Sequence, residues 1–144
     1  SNGMGFSPDL KTFYWTCSTR RKIFAFDCDR ATGAVTRERL FHAVKEGGGA
    51  PDGMTVDSEG HIWSTRWGGF CLVHHAPDGT VLETHRLPVE KVSSVTLGGP
   101  GLDQFLMTTA GGAPDAKTLD GAIFRLALGR KGIPEFRSRF PLGG

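Results

Sequence analysis

A short pattern occurs three times in this chain, and its spacing constrains the fold more than any other feature. Asn2-Gly3-Met4-Gly5-Phe6 aligns with Asp52-Gly53-Met54-Thr55-Val56 and with Ser93-Ser94-Val95-Thr96-Leu97, at separations of 50 and 41 residues. Each copy opens a series of short apolar runs bounded by Gly, Pro, Asp and Asn, with little sustained helical periodicity, as expected of strands joined by tight turns. The first series predicts strands over Met4–Ser7, Thr12–Thr16, Lys22–Asp27 and Val35–Ala43. The second predicts Gly53–Asp57, His61–Thr65, Phe70–His75 and Thr80–Leu87, and a weaker third predicts Val95–Leu97, Gln104–Thr109, Ala122–Leu128 and Glu135–Phe140.

Four strands per unit of about 40–50 residues is the signature of a β-propeller blade. The reading is therefore all-β, with three four-stranded blades at 2–46, 51–91 and 92–142 in one domain over 1–144. Closed propellers typically have about four to eight blades, and each blade buries its faces only against its neighbours. Three alone would leave two large apolar faces in water, so the expectation is a missing N-terminal half or a homodimer.

Composition excludes several function classes. A net charge of +2 with 22% charged residues gives no electrostatic reason to expect nucleic acid. No apolar run approaches the roughly 18 residues of a membrane span, and no signal-peptide pattern is visible. Cys17, Cys28 and Cys71 are odd in number and lack zinc-ligand spacing, which reads as buried thiols in a reducing, cytoplasmic setting. The glycine runs Gly47-Gly48-Gly49 and Gly98-Gly99-Pro100-Gly101 lack the lysine of a phosphate loop, and Gly-x-Ser-x-Gly, HExxH and EF-hand patterns are absent.

In a propeller, the residue just before each innermost strand points into one mouth of the central channel. The repeat assigns Asn2, Asp52 and Ser93 to those positions. Oxygen ligands converging on an axis suit a hard cation such as Ca²⁺, although Asn-Gly and Asp-Gly also serve as plain turns. Loops after each second strand should rim the same mouth, bringing Thr19, Arg20, Arg66, Trp67 and Thr109 into play. Arg66 and Trp67 could orient a sugar-like substrate by hydrogen bonding and stacking, or could be a solvated charge beside a packing aromatic. Neighbours in one strand, His74 and His75 should face opposite ways, and neither reads as a ligand. His42, His61 and His85 have no acidic or cysteine partner at a telling spacing, and Asp78 in Pro77-Asp78-Gly79 reads as an outer hairpin turn.

The sequence resembles the SMP-30/gluconolactonase/regucalcin-like six-bladed propellers. The resemblance rests on Ser1-Asn2-Gly3 with Ser7-Pro8-Asp9, Thr12-Phe13-Tyr14-Trp15, Phe26-Asp27, Thr32-Gly33, Pro51-Asp52-Gly53-Met54 with Asp57 and Gly60, and Gly121-Ala122-Ile123-Phe124. It covers the C-terminal half of such a protein. It implies a divalent metal in the channel, usually Ca²⁺ with Zn²⁺, Mg²⁺ and Mn²⁺ as alternatives. Asn2 and Asp52 match two of the ligands, while the family's glutamate ligand has no counterpart in this sequence. The implied activity is hydrolysis of small sugar-type lactones, with Asp52 as both ligand and catalytic base and a small-molecule lactone as partner. The alternative is a non-catalytic calcium-binding or protein-interaction propeller.

Overall fold

The structure is a computed structural model that describes residues 1–111 and 118–136. Among the described residues it is built from antiparallel strands, with one short 3₁₀ turn at Ser18–Arg20. The first sheet contains β1 (Met4–Phe6), β2 (Thr12–Cys17), β3 (Lys22–Asp29) and β4 (Ala34–Ala43), in chain order. The second contains β5 (Ala50–Val56), β6 (Ile62–Trp67), β7 (Cys71–His75) and β8 (Val81–Arg86), again in chain order. The third contains β9 (Val92–Gly98), β10 (Gln104–Thr109) and β11 (Ile123–Leu126). Hairpin connections and the 2-residue side-chain period make each sheet a meander with one strand innermost, which is a propeller blade.

Of the fourth strand predicted for the third sheet, Glu135–Phe140, only the first two residues are described. Glu135 and Phe136 belong to no strand, and 137–140 lie outside the described residues. After β11 the chain reaches the end of the second sheet. Gly132 bridges Asp57, and the Ser58 amide donates to the Lys131 carbonyl at 2.8 Å, fastening this segment to the far end of the second sheet. Phe70 also departs from its predicted strand, because its backbone is left-handed (φ 56°) and closes the turn before β7.

Alternation along the inner strands builds the core. Met54 and Val56 of β5 face the first sheet and join Tyr14, Ile23, Ala25 and Ile62 in one buried cluster. Val95 and Leu97 of β9 face the second sheet and join Trp63, Leu72, Phe105 and Met107 in another. In β1 the equivalent Met4 and Phe6 are 61% and 40% exposed. No helix among the described residues is long and apolar enough to cross a membrane. All three cysteines are free thiols; Cys71 is buried, while Cys17 and Cys28 are only half-buried, which corrects the expectation that all three are core residues.

Candidate functional site

The three repeat positions come together at one end of the inner strands, held backbone to backbone. The Gly3 amide donates to the Asp52 carbonyl at 3.0 Å. A Cβ on Gly3 would come within 2.5 Å of the Met54 amide nitrogen, and one on Gly53 would lie 2.6 Å from the Ser94 Cα. Glycine at these two places is what allows adjacent inner strands to approach this closely. Asn2, just before β1, Asp52 in β5 and Ser93 in β9 are thereby stationed at the same end of successive inner strands.

Asp52 does not precede its strand, as the sequence suggests. β5 begins at Ala50, pairs Pro51 with Arg66 and then Met54 with Ser64, and so carries an extra residue in the Asp52-Gly53 stretch. β9 repeats the device, pairing Val92 with Thr109 and Ser94 with Thr108, which leaves Ser93 as the extra residue. Such bulges re-aim a side chain that a regular pleat would direct elsewhere. The Thr65 hydroxyl pins the first bulge by donating to the Gly53 carbonyl at 3.0 Å, and the Ser93 and Thr108 hydroxyls bond to each other at 2.9 Å.

Asn2 is held by a short relay. Its side-chain amide donates to the Ser18 hydroxyl at 2.7 Å, and Ser18 donates to the Pro51 carbonyl at 2.6 Å, linking the first and second blades just above Asp52. With the Asn2 nitrogen so engaged, its amide oxygen is the atom left to serve as a ligand. Asp52 is half-buried, and burial pushes its carboxyl up from the ordinary value. Two oxygen donors, one just before β1 and one in β5, fit a hard divalent cation by chemistry, though they make up only part of the roughly six or more oxygen ligands that calcium takes. Ser18 and Thr65 were not singled out from the sequence. The available signal was the hydroxyl residues recurring near the end of each second strand.

The rim residues divide. Trp67 ends β6 on the mouth side, is 41% exposed, and has the Lys91 ammonium 5.5 Å from its ring centroid. Arg66 is not at the rim. It is 2% exposed and turned into the second blade, where its guanidinium donates to the Ser64 hydroxyl at 2.6 Å, to the Ser64 and Thr65 carbonyls, and meets His75 Nε2 at 3.1 Å. One-residue alternation along β6 sends neighbours to opposite faces, so Trp67 and Arg66 cannot both face a substrate in the mouth. Thr19 and Arg20 are exposed on the 3₁₀ turn, and Thr109 donates to the Ala122 carbonyl at 2.8 Å. Asp78 is an exposed turn residue whose carboxylate accepts from the Thr80 amide at 2.9 Å.

At the opposite end lies a group that sequence spacing did not reveal. Asp57, His61 and His74 place one potential ligand atom each within 4.8 Å of one another. Asp57 is fully buried, and its carboxylate accepts from the Glu59 and His61 amides at 3.0 and 2.9 Å and from the Trp63 indole at 3.0 Å. His61 Nδ1 and His74 Nε2 are 2.7 Å apart and hydrogen-bonded, and His74 stacks on Trp63 at 3.9 Å. Two imidazole nitrogens on one tetrahedral zinc stand about 3.3 Å apart by the usual Zn–N lengths, and this pair is closer, within hydrogen-bonding distance. The group is a turn clamp that fixes the end of β5.

The family model described as "SMP-30/Gluconolactonase/LRE-like region" matches residues 1–111. The chain belongs to that family. Among its relatives, the pentonolactonase XacC of Haloferax volcanii is 46% identical over 99% of this chain and 52% of its own length. Regucalcin of Gallus gallus is 33% identical over 94% of this chain and 48% of its own. Of solved structures, the calcium-binding protein regucalcin from Agrobacterium tumefaciens superposes with a TM-score of 0.86 at 28% identity, covering 96% of this chain and 49% of that one. A gluconolactonase from Xanthomonas campestris gives 0.64 at 30% identity over 74% of this chain and 34% of that one. The chain thus spans about half the length of the curated relatives it matches.

Proposed function

We propose that this chain is the C-terminal half of a divalent-metal-dependent hydrolase of small sugar-type lactones, with its site at the channel mouth marked by Asn2 and Asp52. The observation that carries the reading is the bulge in β5, which takes one carboxylate out of the strand pattern beside the Asn2–Ser18–Pro51 relay. The lactonase names among the relatives support the reaction class, and the calcium-binding description of one structural neighbour supports the metal.

Asn2 and Asp52 would contribute an amide and a carboxylate oxygen to the cation, most naturally Ca²⁺. When bound, a divalent ion polarises a carbonyl and acidifies water. The Asp52 carboxylate accepts the proton of the attacking water, with Ser18 keeping Asn2 turned and the Trp67 face flanking the substrate. The remaining ligands and the covering blades come from the missing half or from a second copy, the setting in which Met4 and Phe6 become buried. Three free thiols accord with a reducing, cytoplasmic location.

The test separates the two residues by metal dependence. In the completed assembly, Asn2→Ala should lose lactone turnover at low metal and regain most of it at excess metal, because its part is ligation. Asp52→Asn should stay impaired at any metal concentration. Full activity of both variants without added metal would overturn the reading and leave a binding or interaction propeller as the better account.

A further inference from the structure

Between the first and second blades, away from the inner strands, lies a cleft of about 320 Å³. Its floor holds the buried Arg66, Cys71 and Val73, and its rim carries Lys45 from the β4–β5 connection and Arg86 from the end of β8. None of the lining residues is an aspartate or glutamate. Among the described residues, the ion pairs involve Arg37, Arg39, His85 and Arg130, so Lys45, Arg66 and Arg86 have no carboxylate partner.

Arg66 makes this more than a basic patch. A guanidinium 2% exposed is met only by neutral acceptors: two carbonyls, the Ser64 hydroxyl and His75. Burial lowers its pKa to about 10 and that of His75 to about 3, so at neutral pH the cation faces a neutral ring. Burial raises the Cys71 thiol, so the cleft floor does not supply a thiolate either. A buried charge without a counter-charge is costly, and Arg66 places one beneath the floor of the open cleft, where an anion seated in the cleft would offset it. Arg86, tied to the Gly69 carbonyl at 3.1 Å, and Lys45 stand where they would complete the ligand shell from the solvent side.

We propose that this interblade cleft is a binding site for a small phosphate-class oxyanion, seated against Arg66 on the floor and held by Arg86 and Lys45 from the rim. Forked guanidinium donors suit a tetrahedral oxyanion, and the concave, blade-lined shape limits the ligand to small molecules. The site is separate from the channel mouth and stands whether or not the lactonase reading holds.

Isothermal titration of the purified protein with inorganic phosphate, in chloride buffer at fixed ionic strength, tests it. Saturable one-site binding is expected. Arg86→Gln and Lys45→Gln, both exposed and so safe for folding, should each weaken it by about tenfold, the factor for one lost charge-assisted hydrogen bond. Asp52→Asn should bind phosphate as the parent does. A sugar phosphate titrated alongside distinguishes a phosphorylated metabolite, which would bind more tightly than inorganic phosphate, from the free ion, which would not be outcompeted. Heats no larger than the ionic-strength control, parental affinity in both rim variants, or loss of binding in Asp52→Asn would each overturn the proposal.

Discussion

Met4 and Met54 hold the same place in consecutive inner strands, yet Met4 is 61% exposed and Met54 is 6% exposed. The difference lies in what stands beside them: Met54 has the first blade to pack on, whereas Met4 faces the side where a further blade would be. Burying such a side chain is worth about 1.5–3 kcal/mol, and Phe6 adds a comparable amount.

That unpartnered face should drive association. Sedimentation velocity at micromolar concentration should find dimers or larger species of the chain alone, and the double variant Met4→Glu/Phe6→Glu should shift them towards monomer. A sharply melting monomer for the parent chain would contradict the half-propeller account.

Metal should stabilise any assembly that contains a completed channel site, because a ligand that binds only the folded state raises its stability by mass action. Melting curves in excess calcium should lie above those in chelator. Superimposable curves would remove Asn2 and Asp52 from the metal site.

The Asp57 clamp predicts a stability effect without a metal effect. Asp57→Ala leaves the Glu59 and His61 amides and the Trp63 indole without their acceptor. The indole donor is buried and the two amides only partly so; an orphaned buried donor costs about 1–3 kcal/mol, so a loss of roughly 2 kcal/mol or more in urea unfolding is expected. A change below about 1 kcal/mol would show that water or the neighbouring backbone takes over the role.

Acid should destabilise the protein through its buried histidines. Burial holds His75 at about 3 against an ordinary 6.5, and it lowers His42 and His74 in the same direction. The folded state excludes a proton that the unfolded chain accepts, so the contribution is complete above pH 6.5 and is lost as pH falls towards 3. Urea unfolding should lose roughly 2–4 kcal/mol between pH 7 and 4, and His75→Gln should flatten the slope. A profile equally steep in the variant would place the titration elsewhere.

Much of the architecture was legible because propeller blades repeat: the register linking Asn2, Asp52 and Ser93 located three inner strands whose hydrogen bonds and glycine contacts now explain the alignment. What escaped were features set by three-dimensional packing. The bulges at Asp52 and Ser93 depend on cross-strand pairing that no local propensity encodes. Arg66 looks like a rim residue because it borders a turn, and only the strand's pleat decides that it points inward. The Asp57–His61–His74 group joins a turn to a strand 13 residues beyond His61, too irregular a spacing to read as one unit. The strand predicted at Glu135–Phe140 lies mostly outside the described residues; what the sequence did not show is that Gly132 anchors the segment before it, its amide donating to the Leu102 carbonyl at 2.7 Å where a Cβ would lie 2.7 Å from the Leu97 Cβ.

The most direct test of the catalytic reading compares two aspartates in the same tripeptide, Pro51-Asp52-Gly53 and Pro77-Asp78-Gly79. Asp52 sits half-buried in the inner-strand bulge, while Asp78 caps an exposed hairpin. Both Asp→Asn variants should be assayed on one sugar lactone in the completed assembly at saturating metal. The account predicts a fall of roughly 10²–10⁴-fold at Asp52, the range for loss of a general base, and turnover within about twofold of the parent at Asp78. Equal losses at the two positions, or none at Asp52, would contradict it.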